Sequence, residues 1–155
     1  MGELTPYICV ADSRAAIEWY REHLGAELTV EPIVMDDGHV GHAELAVDGA
    51  RWMMSDAFES AGVAPPDPAR GNAVTLHLTV SDVDDLCRRV QDGGATVDRA
   101  PEDNPPIGRL AVFHDPFGHR WFLNQPLPES GSELGPESEP ESGPESRPES
   151  RPEPD

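Results

Sequence analysis

The sequence predicts an α+β fold that consists of two tandem βαβββ modules. Three observations predict it: the chain repeats itself, apolar residues alternate in strand-like stretches, and turns that contain Gly and Asp separate those stretches. TPYICVAD (5–12) matches TLHLTVSD (75–82) at Thr, Val and Asp, and GARWMMSD from Gly49 returns as GHRWFLNQ from Gly118. Self-similarity at a nearly fixed offset indicates two copies of one supersecondary unit.

Each copy predicts the same five elements in the same order. Residues 5–10 have the period-two alternation of a strand. A helix is predicted to begin at Asp12 or Ser13, which are both good N-caps, and to end at Gly25. Three more strands are predicted at 27–34, 40–47 and 50–57, joined by the turns DDG and DG. In the second copy, VDDLCRRVQDGGATV takes the place of the helix and its stop.

The last part of the chain differs in composition from the rest. Residues 128–155 contain only Pro, Glu, Ser, Gly and Arg, apart from one Leu and one Asp. Such a segment has too few apolar side chains to form a core. We therefore expect a folded domain at 1–127 (module one 4–57, linker 58–73, module two 74–127) and a disordered acidic tail at 128–155. The tail is expected to aid solubility, with docking to a partner as the alternative.

Charge and residue usage exclude several classes of function. The tail carries −7 of the formal charge of −19, which leaves −12 on residues 1–127. This argues against nucleic acid as a partner, because phosphate binding needs a basic face. The sequence contains no Lys, so Schiff-base chemistry and a P-loop are excluded. The N-terminus MGELTPYICVAD has no basic flank and no long apolar run, so neither a signal peptide nor a membrane span is predicted. Cys9 and Cys87 are expected to be reduced core thiols of a cytoplasmic protein.

A pair of βαβββ modules resembles the vicinal oxygen chelate superfamily, which includes glyoxalase I, bleomycin-resistance proteins, fosfomycin-modifying enzymes and extradiol dioxygenases. The resemblance extends from Thr5 to Pro126, and the phrases TPYICVAD, HAEL and HDPFGHRW look most like its metal-free, glyoxalase-like branch. It implies eight strands that form a cup-shaped sheet around a ligand. It also implies a homodimer whose cups form partly across the subunit boundary.

The resemblance indicates where a metal would bind. In the metal enzymes of this superfamily, each module supplies one ligand from its first strand and one from its last, usually His or Glu. Carried over by alignment, these positions are Thr5, Met53, Thr75 and Phe122 in this chain. Two hydroxyls, a thioether and a phenyl ring do not suit a hard divalent cation, so no metal or other cofactor is predicted.

Three other residues leave an alternative open. His42 and Glu44 share one face of the predicted third strand, at positions i and i+2, and His77 follows Thr75 on the same side of its strand. The three could form a relocated set of two His and one carboxylate. Glu44 or His77 could also act as the general base of a metal-free enzyme. The simpler interpretation is that they are polar residues of a partly hydrated cup.

The strands carry aromatic and Met side chains that suit a flat, partly apolar ligand. The predicted ligand-binding residues are Tyr7, His42, Glu44, Trp52, Met53, His77, Phe113, Phe122 and Asn124. Successive residues of a strand point to opposite sides, so Trp52 is expected to face the core if Met53 faces the cup. The sequence thus predicts a metal-independent protein that sequesters a small aromatic natural product, neutral or cationic, as in antibiotic resistance by drug binding. A lyase, dioxygenase or isomerase is the alternative.

Overall fold

The computed structural model describes residues 1–128. The predicted acidic tail lies outside the described residues, apart from Pro128. The strands are β1 (Tyr7–Cys9), β2 (Glu27–Val34), β3 (Val40–Val47), β4 (Ala50–Ser55), β5 (Thr75–Thr79), β6 (Thr96–Asn104), β7 (Gly108–His114) and β8 (Arg120–Gln125). The helices are α1 (Ser13–Trp19), which continues as a π-helical turn (Tyr20–Leu24), and α2 (Val83–Asp92), with a 3-10 turn (Glu59–Ala61) in the linker.

The strands form two four-stranded sheets, one for each sequence repeat. Their strand orders are β1-β4-β3-β2 and β5-β8-β7-β6. In each sheet the first strand pairs with the last in parallel, and the other neighbours are antiparallel. The register pairs Tyr7 with Met53 in one sheet and His77 with Phe122 in the other. The sequence repeat is therefore a structural repeat, and the predicted α+β fold of two βαβββ modules is confirmed.

One hydrophobic core joins the two sheets. Its centre includes Trp52 and Met54 on β4 and Trp121 and Leu123 on β8, none more than 3% exposed. The rings of Trp52 and Trp121 are 5.5 Å apart and nearly perpendicular, and the fully buried Tyr20 contacts both. The side of each sheet that carries these residues faces the shared core. The opposite side of each sheet therefore faces outward.

A buried carboxylate connects the two modules. Asp115, which is 4% exposed, lies in the turn before β8. Its Oδ2 accepts from Tyr20 Oη at 2.5 Å and from Trp121 Nε1 at 2.9 Å, and its Oδ1 accepts from the backbone N–H groups of Phe117 and His119. Four donors thus compensate the charge for its loss of water. Burial, and then the neighbouring carboxylate, raises the pKa of Tyr20 well above its usual range.

The helix ends follow the signals in the sequence. Asp12 is the N-cap of α1, and its side chain accepts from the Ala15 N–H at 3.1 Å. Asp82 caps α2 in the same way, through the Asp85 N–H at 2.9 Å. Gly25 ends the first helix with a φ of 77°, a left-handed conformation that suits glycine. The π-helical form of the last turn was not predicted.

The two cysteines lie in the core, as predicted. Cys9 is 7% exposed and Cys87 is 5% exposed. Burial raises the pKa of both thiols, and nearby Asp carboxylates add to the effect. Both thiols therefore pack as small apolar groups. Within residues 1–128, no helix is long and apolar enough to cross a membrane.

Candidate ligand-binding site

The outward side of each sheet is the candidate ligand-binding surface. We call the outward side of β1–β4 the first open face and that of β5–β8 the second open face. The predicted site residues on them are Tyr7, His42, Glu44 and Met53 on the first and His77, Phe122 and Asn124 on the second. Tyr7 is 55% exposed. The side chains of His42 and Glu44 are 24% and 22% exposed, so a ligand can reach these groups in the single chain.

Tyr7, His42 and Glu44 form a continuous chain of hydrogen bonds on the first open face. Tyr7 Oη donates to the Gly41 carbonyl at 2.8 Å. His42 Nδ1 lies 3.1 Å from Tyr7 Oη, and His42 Nε2 lies 3.0 Å from Glu44 Oε1. Successive side chains of a strand point to opposite sides, so His42 and Glu44 are neighbours on one face, as their spacing predicts.

His42 is the central residue of this chain of hydrogen bonds. Its two ring nitrogens contact Tyr7 and Glu44, and which of them donates depends on the tautomer of the imidazole. Glu44 Oε2 takes no part in this chain and can accept a hydrogen bond from a ligand.

The second open face presents a flat aromatic surface. The imidazole of His77 stacks on the ring of Phe122, with centroids 5.4 Å apart and planes at 22°. The register causes this contact, because it pairs the two residues directly across β5 and β8. Stacked rings of this kind offer a face to a planar aromatic ligand.

Asn124, at the end of this face, packs closely against the backbone of Gly108. Gly108 begins β7 with a φ of 149°, and a Cβ at this position would collide with the Asn124 side chain. Glycine therefore permits the close approach of β7 to β8. Asn124 Oδ1 is buried and has no hydrogen-bond partner within residues 1–128, so packing holds this end of the amide.

The side chains at the family's metal-ligand positions do not fit a divalent cation. Thr75 Oγ1 accepts a hydrogen bond at 2.8 Å from Nη1 of Arg120, whose charge would repel a metal ion. Met53 offers only a thioether and Phe122 offers no lone pair, whereas hard cations prefer oxygen and nitrogen ligands. Arg120 was missed from the sequence, although it lies two residues before Phe122 on the same face.

The alternative set of His42, Glu44 and His77 does not assemble within one chain. His42 and Glu44 are hydrogen-bonded to each other on the first sheet, but His77 lies on the second. In the described part of the chain, no three His, Cys, Asp or Glu side chains form a group that could hold a metal.

Two predicted ligand-binding residues lie in the core. Trp52 is 3% exposed and Phe113 is fully buried. The ring of Phe113 stacks on Trp121 at 6.1 Å. Both side chains point inward because their strands alternate, with Met53 and Val112 in register with open-face residues. The structure therefore places neither of them on an open face.

Two of the cavities between the modules lie close to the candidate site residues. One of about 570 Å³ lies beside β1, and its walls include Ile8, Pro66, Asn72 and His119. The other, of about 300 Å³, lies between the segment before β1 and strand β5. Neither cavity is lined by Glu44, Met53 or Phe122, so the centres of the open faces lie outside both.

Comparison with known proteins agrees with this architecture. Residues 3–123 match the family model described as the Glyoxalase/Bleomycin resistance protein/Dioxygenase superfamily. The chain belongs to this superfamily. An uncharacterized protein of Mycobacterium bovis is 36% identical over 129 residues, which cover 81% of this chain and 84% of that protein.

Two solved structures have a similar fold. TnmS3, an antibiotic-binding protein from Streptomyces sp. CB03234, is 27% identical with a TM-score of 0.59, and the match covers 82% of this chain and 98% of TnmS3. TioX from Micromonospora sp. ML1 is 23% identical with a TM-score of 0.63, over 82% of this chain and all of TioX. The second likeness supports the fold alone.

Proposed function

We propose that this protein binds a small aromatic natural product without a metal and lowers its free concentration. The main support for this function is the chemistry of the side chains at the four positions where metal enzymes of the family have their ligands. They hold Met53, Phe122 and two Thr, and the neighbouring His77 stacks on Phe122. Thioether and aromatic surfaces bind flat apolar molecules, and a few polar groups such as the Tyr7–His42–Glu44 chain orient them. The antibiotic-binding name of TnmS3 supports the same class of ligand.

The charge of the folded part favours a neutral or cationic ligand. Residues 1–127 carry a formal charge of −12, which repels anions over the whole surface. Glu44 Oε2 adds a local acceptor for an amine, hydroxyl or phenol. Arg120 at the edge of the second open face is already engaged with Thr75.

A homodimer would complete the site. In one chain, Tyr7, Val30 and Ile33 are 55%, 37% and 54% exposed on the first open face. Apolar surface of this kind is buried favourably against a partner. If two chains pair around a two-fold axis, the first open face of one chain covers the second open face of the other, which gives two equivalent cups.

The test is calorimetric titration with aromatic antibiotics, beginning with bleomycin and a neutral anthraquinone. We expect Phe122→Ala to weaken binding about tenfold, because a stacking surface and its buried area are lost. Phe58→Ala, the same truncation at a half-buried linker position, should leave affinity unchanged. The ligand should be recovered chemically intact. If no aromatic ligand binds at micromolar concentration, the sequestration function is wrong.

The hydrogen-bond chain of the first open face favours one alternative function, a metal-free proton transfer. His42 lies within hydrogen-bond distance of both Tyr7 and Glu44, and such an arrangement suits general acid–base catalysis. Glu44→Gln would then abolish turnover and spare binding, whereas Tyr7→Phe would reduce turnover less. Recovery of an altered ligand that depends on Glu44 would favour this enzyme over sequestration.

A further inference from the structure

Arg120 is the strand arginine that pairs with no carboxylate. β4, β6, β7 and β8 each carry one arginine. Within residues 1–128, Arg120 alone of these four forms no ion pair, and its guanidinium makes one hydrogen bond, from Nη1 to Thr75 Oγ1 at 2.8 Å. The described part of the chain therefore does not neutralise the charge of Arg120. The other three form the ion pairs Arg51–Glu3, Arg99–Glu102 and Arg109–Asp84.

The equivalent arginine of the first module is neutralised. Arg51 and Arg120 occupy the same position of the sequence repeat, in GARW and GHRW. Arg51 pairs with Glu3, whereas the alignment of the two first strands places Ala73 at the position of Glu3. The second module therefore keeps the cation and lacks its carboxylate.

Arg120 and the stacked rings share the second open face. Arg120 lies two residues before Phe122 on β8, and its register partner Thr75 lies two residues before His77 on β5. Residues two apart on a strand share a face and are separated by about 7 Å. Thr75 and His77 are exposed and Arg120 is half-buried. A planar ligand of fused rings spans such a distance, so a ligand that stacks on Phe122 can present a substituent to the guanidinium.

The chemistry of the guanidinium defines that substituent. A guanidinium has five N–H donors and no acceptor. One of them donates to Thr75, and the others can donate only to an acceptor on the ligand. The formal charge of −12 on residues 1–127 repels an anionic group. A carbonyl oxygen conjugated to an aromatic ring is neutral, lies in the plane of the ring and has two lone pairs, so it suits both the guanidinium and the stacking surface.

We propose that Arg120 selects neutral planar aromatic ketones, because it donates to the ring carbonyl oxygen while the ligand stacks on Phe122 and His77. This specificity rests on the proposed function, since it concerns the ligand that the second open face binds. Arg51 does not offer an equivalent contact, because its guanidinium already donates to Glu3.

The experiment compares two probes that have the same carbon skeleton. Fluorenone is a planar tricyclic ketone, and fluorene has a CH₂ group in place of the carbonyl. Equilibrium dialysis of the full chain, with each probe quantified by chromatography, gives the two dissociation constants. Arg120→Met removes the donors and keeps a long unbranched side chain. We expect it to weaken the binding of fluorenone about tenfold, as the loss of a hydrogen bond from a charged donor predicts, and to leave the binding of fluorene unchanged.

Arg51→Met is the matched control. It makes the same change at the equivalent position of the first module, where the exposed ion pair with Glu3 contributes little to stability. It should leave both dissociation constants unchanged. The proposal is wrong if Arg120→Met has the same ratio of the two affinities as the parent; sequestration then still stands, provided that the parent binds fluorene. A parent protein that binds neither probe would contradict both.

Discussion

At the scale of single residues, Asp115 shows how one buried carboxylate connects two modules. Of its four donors, only Tyr20 comes from the first module. Tyr20→Phe removes that donor and preserves the ring. We expect it to lower the free energy of unfolding by about 1.5–3 kcal/mol, because a hydrogen bond to a buried charged acceptor is lost. Urea unfolding measures the difference; a change within about 0.5 kcal/mol would show that this contact does not stabilise the module interface.

The same substitution should change the stability at alkaline pH. In the folded protein, burial and then Asp115 raise the pKa of Tyr20, whereas in the unfolded chain a tyrosine titrates near pH ~10. The neutral phenol therefore contributes its full stability below about pH 10, and this contribution is lost as the pH rises above that value. The parent protein should lose more stability above pH ~10 than Tyr20→Phe. The two buried thiols are present in both proteins, so they cancel in the comparison. Parallel curves would contradict the assignment.

At the scale of secondary-structure elements, the end of each last strand fixes the start of a helix. Asp56 follows β4, and its two carboxylate oxygens accept from the Ser13 N–H at 2.8 Å and the Val40 N–H at 2.7 Å. Gln125 ends β8, and its Oε1 accepts from the Val83 N–H at 3.0 Å. Ser13 and Val83 are the first residues of α1 and α2. The two modules thus use different side chains for the same contact.

Asp56→Asn should weaken this contact, because an amide supplies one acceptor where two N–H donors converge. Burial tends to raise the pKa of Asp56, but the hydrogen bonds from Val40 and Ser13 lower it below its usual value. Its carboxylate therefore stabilises the fold above pH ~4, and this contribution is lost as the pH falls below that value. We expect Asp56→Asn to cost about 1 kcal/mol at neutral pH and less at pH ~3. Thermal unfolding at the two pH values tests this, and an equal loss at both would contradict it.

The elements themselves were largely predictable from the sequence. The bounds of β2, β3 and α2 agree with the predicted stretches, because alternation, helix caps and turn residues are local signals. β1 has only three residues instead of the predicted six (5–10), since the chain pairs with β4 over Tyr7–Cys9 and then turns so that Asp12 can cap α1, as predicted. Short strands depend on their partner, which local patterns do not reveal.

The site was predictable only in part. Alternation placed His42 and Glu44 on one face and Trp52 on the other. It did not reveal that Tyr7 and His42 are hydrogen-bonded, or that Arg120 reaches Thr75. Period-two patterns show which side of a strand is apolar but not which surface covers it, so the core formed between the two sheets had no local signal.

At the scale of the whole molecule, the proposed dimer can be tested by subunit mixing. Met53→Arg should disable the first open face and Phe122→Arg the second, so neither homodimer binds ligand. In a mixed dimer of the two, one cup would combine both defects and the other would have none. After random exchange of subunits, we expect about a quarter of the parent's binding sites to return. The titration counts the sites, and each variant mixed with itself is the control. If each cup is formed within one chain, mixing restores nothing.

Calorimetric titration of chelator-stripped protein with Ni²⁺, Zn²⁺, Mn²⁺ and Fe²⁺ tests whether the proposed site works without a metal. Because Thr75 is engaged by Arg120 and Phe122 offers no lone pair, we expect only weak association, unaffected by Glu44→Gln. Tight binding of one metal ion per cup, lost in Glu44→Gln or in His77→Ala, would contradict metal-free binding. It would show instead that His42, Glu44 and His77 assemble a metal site between two chains.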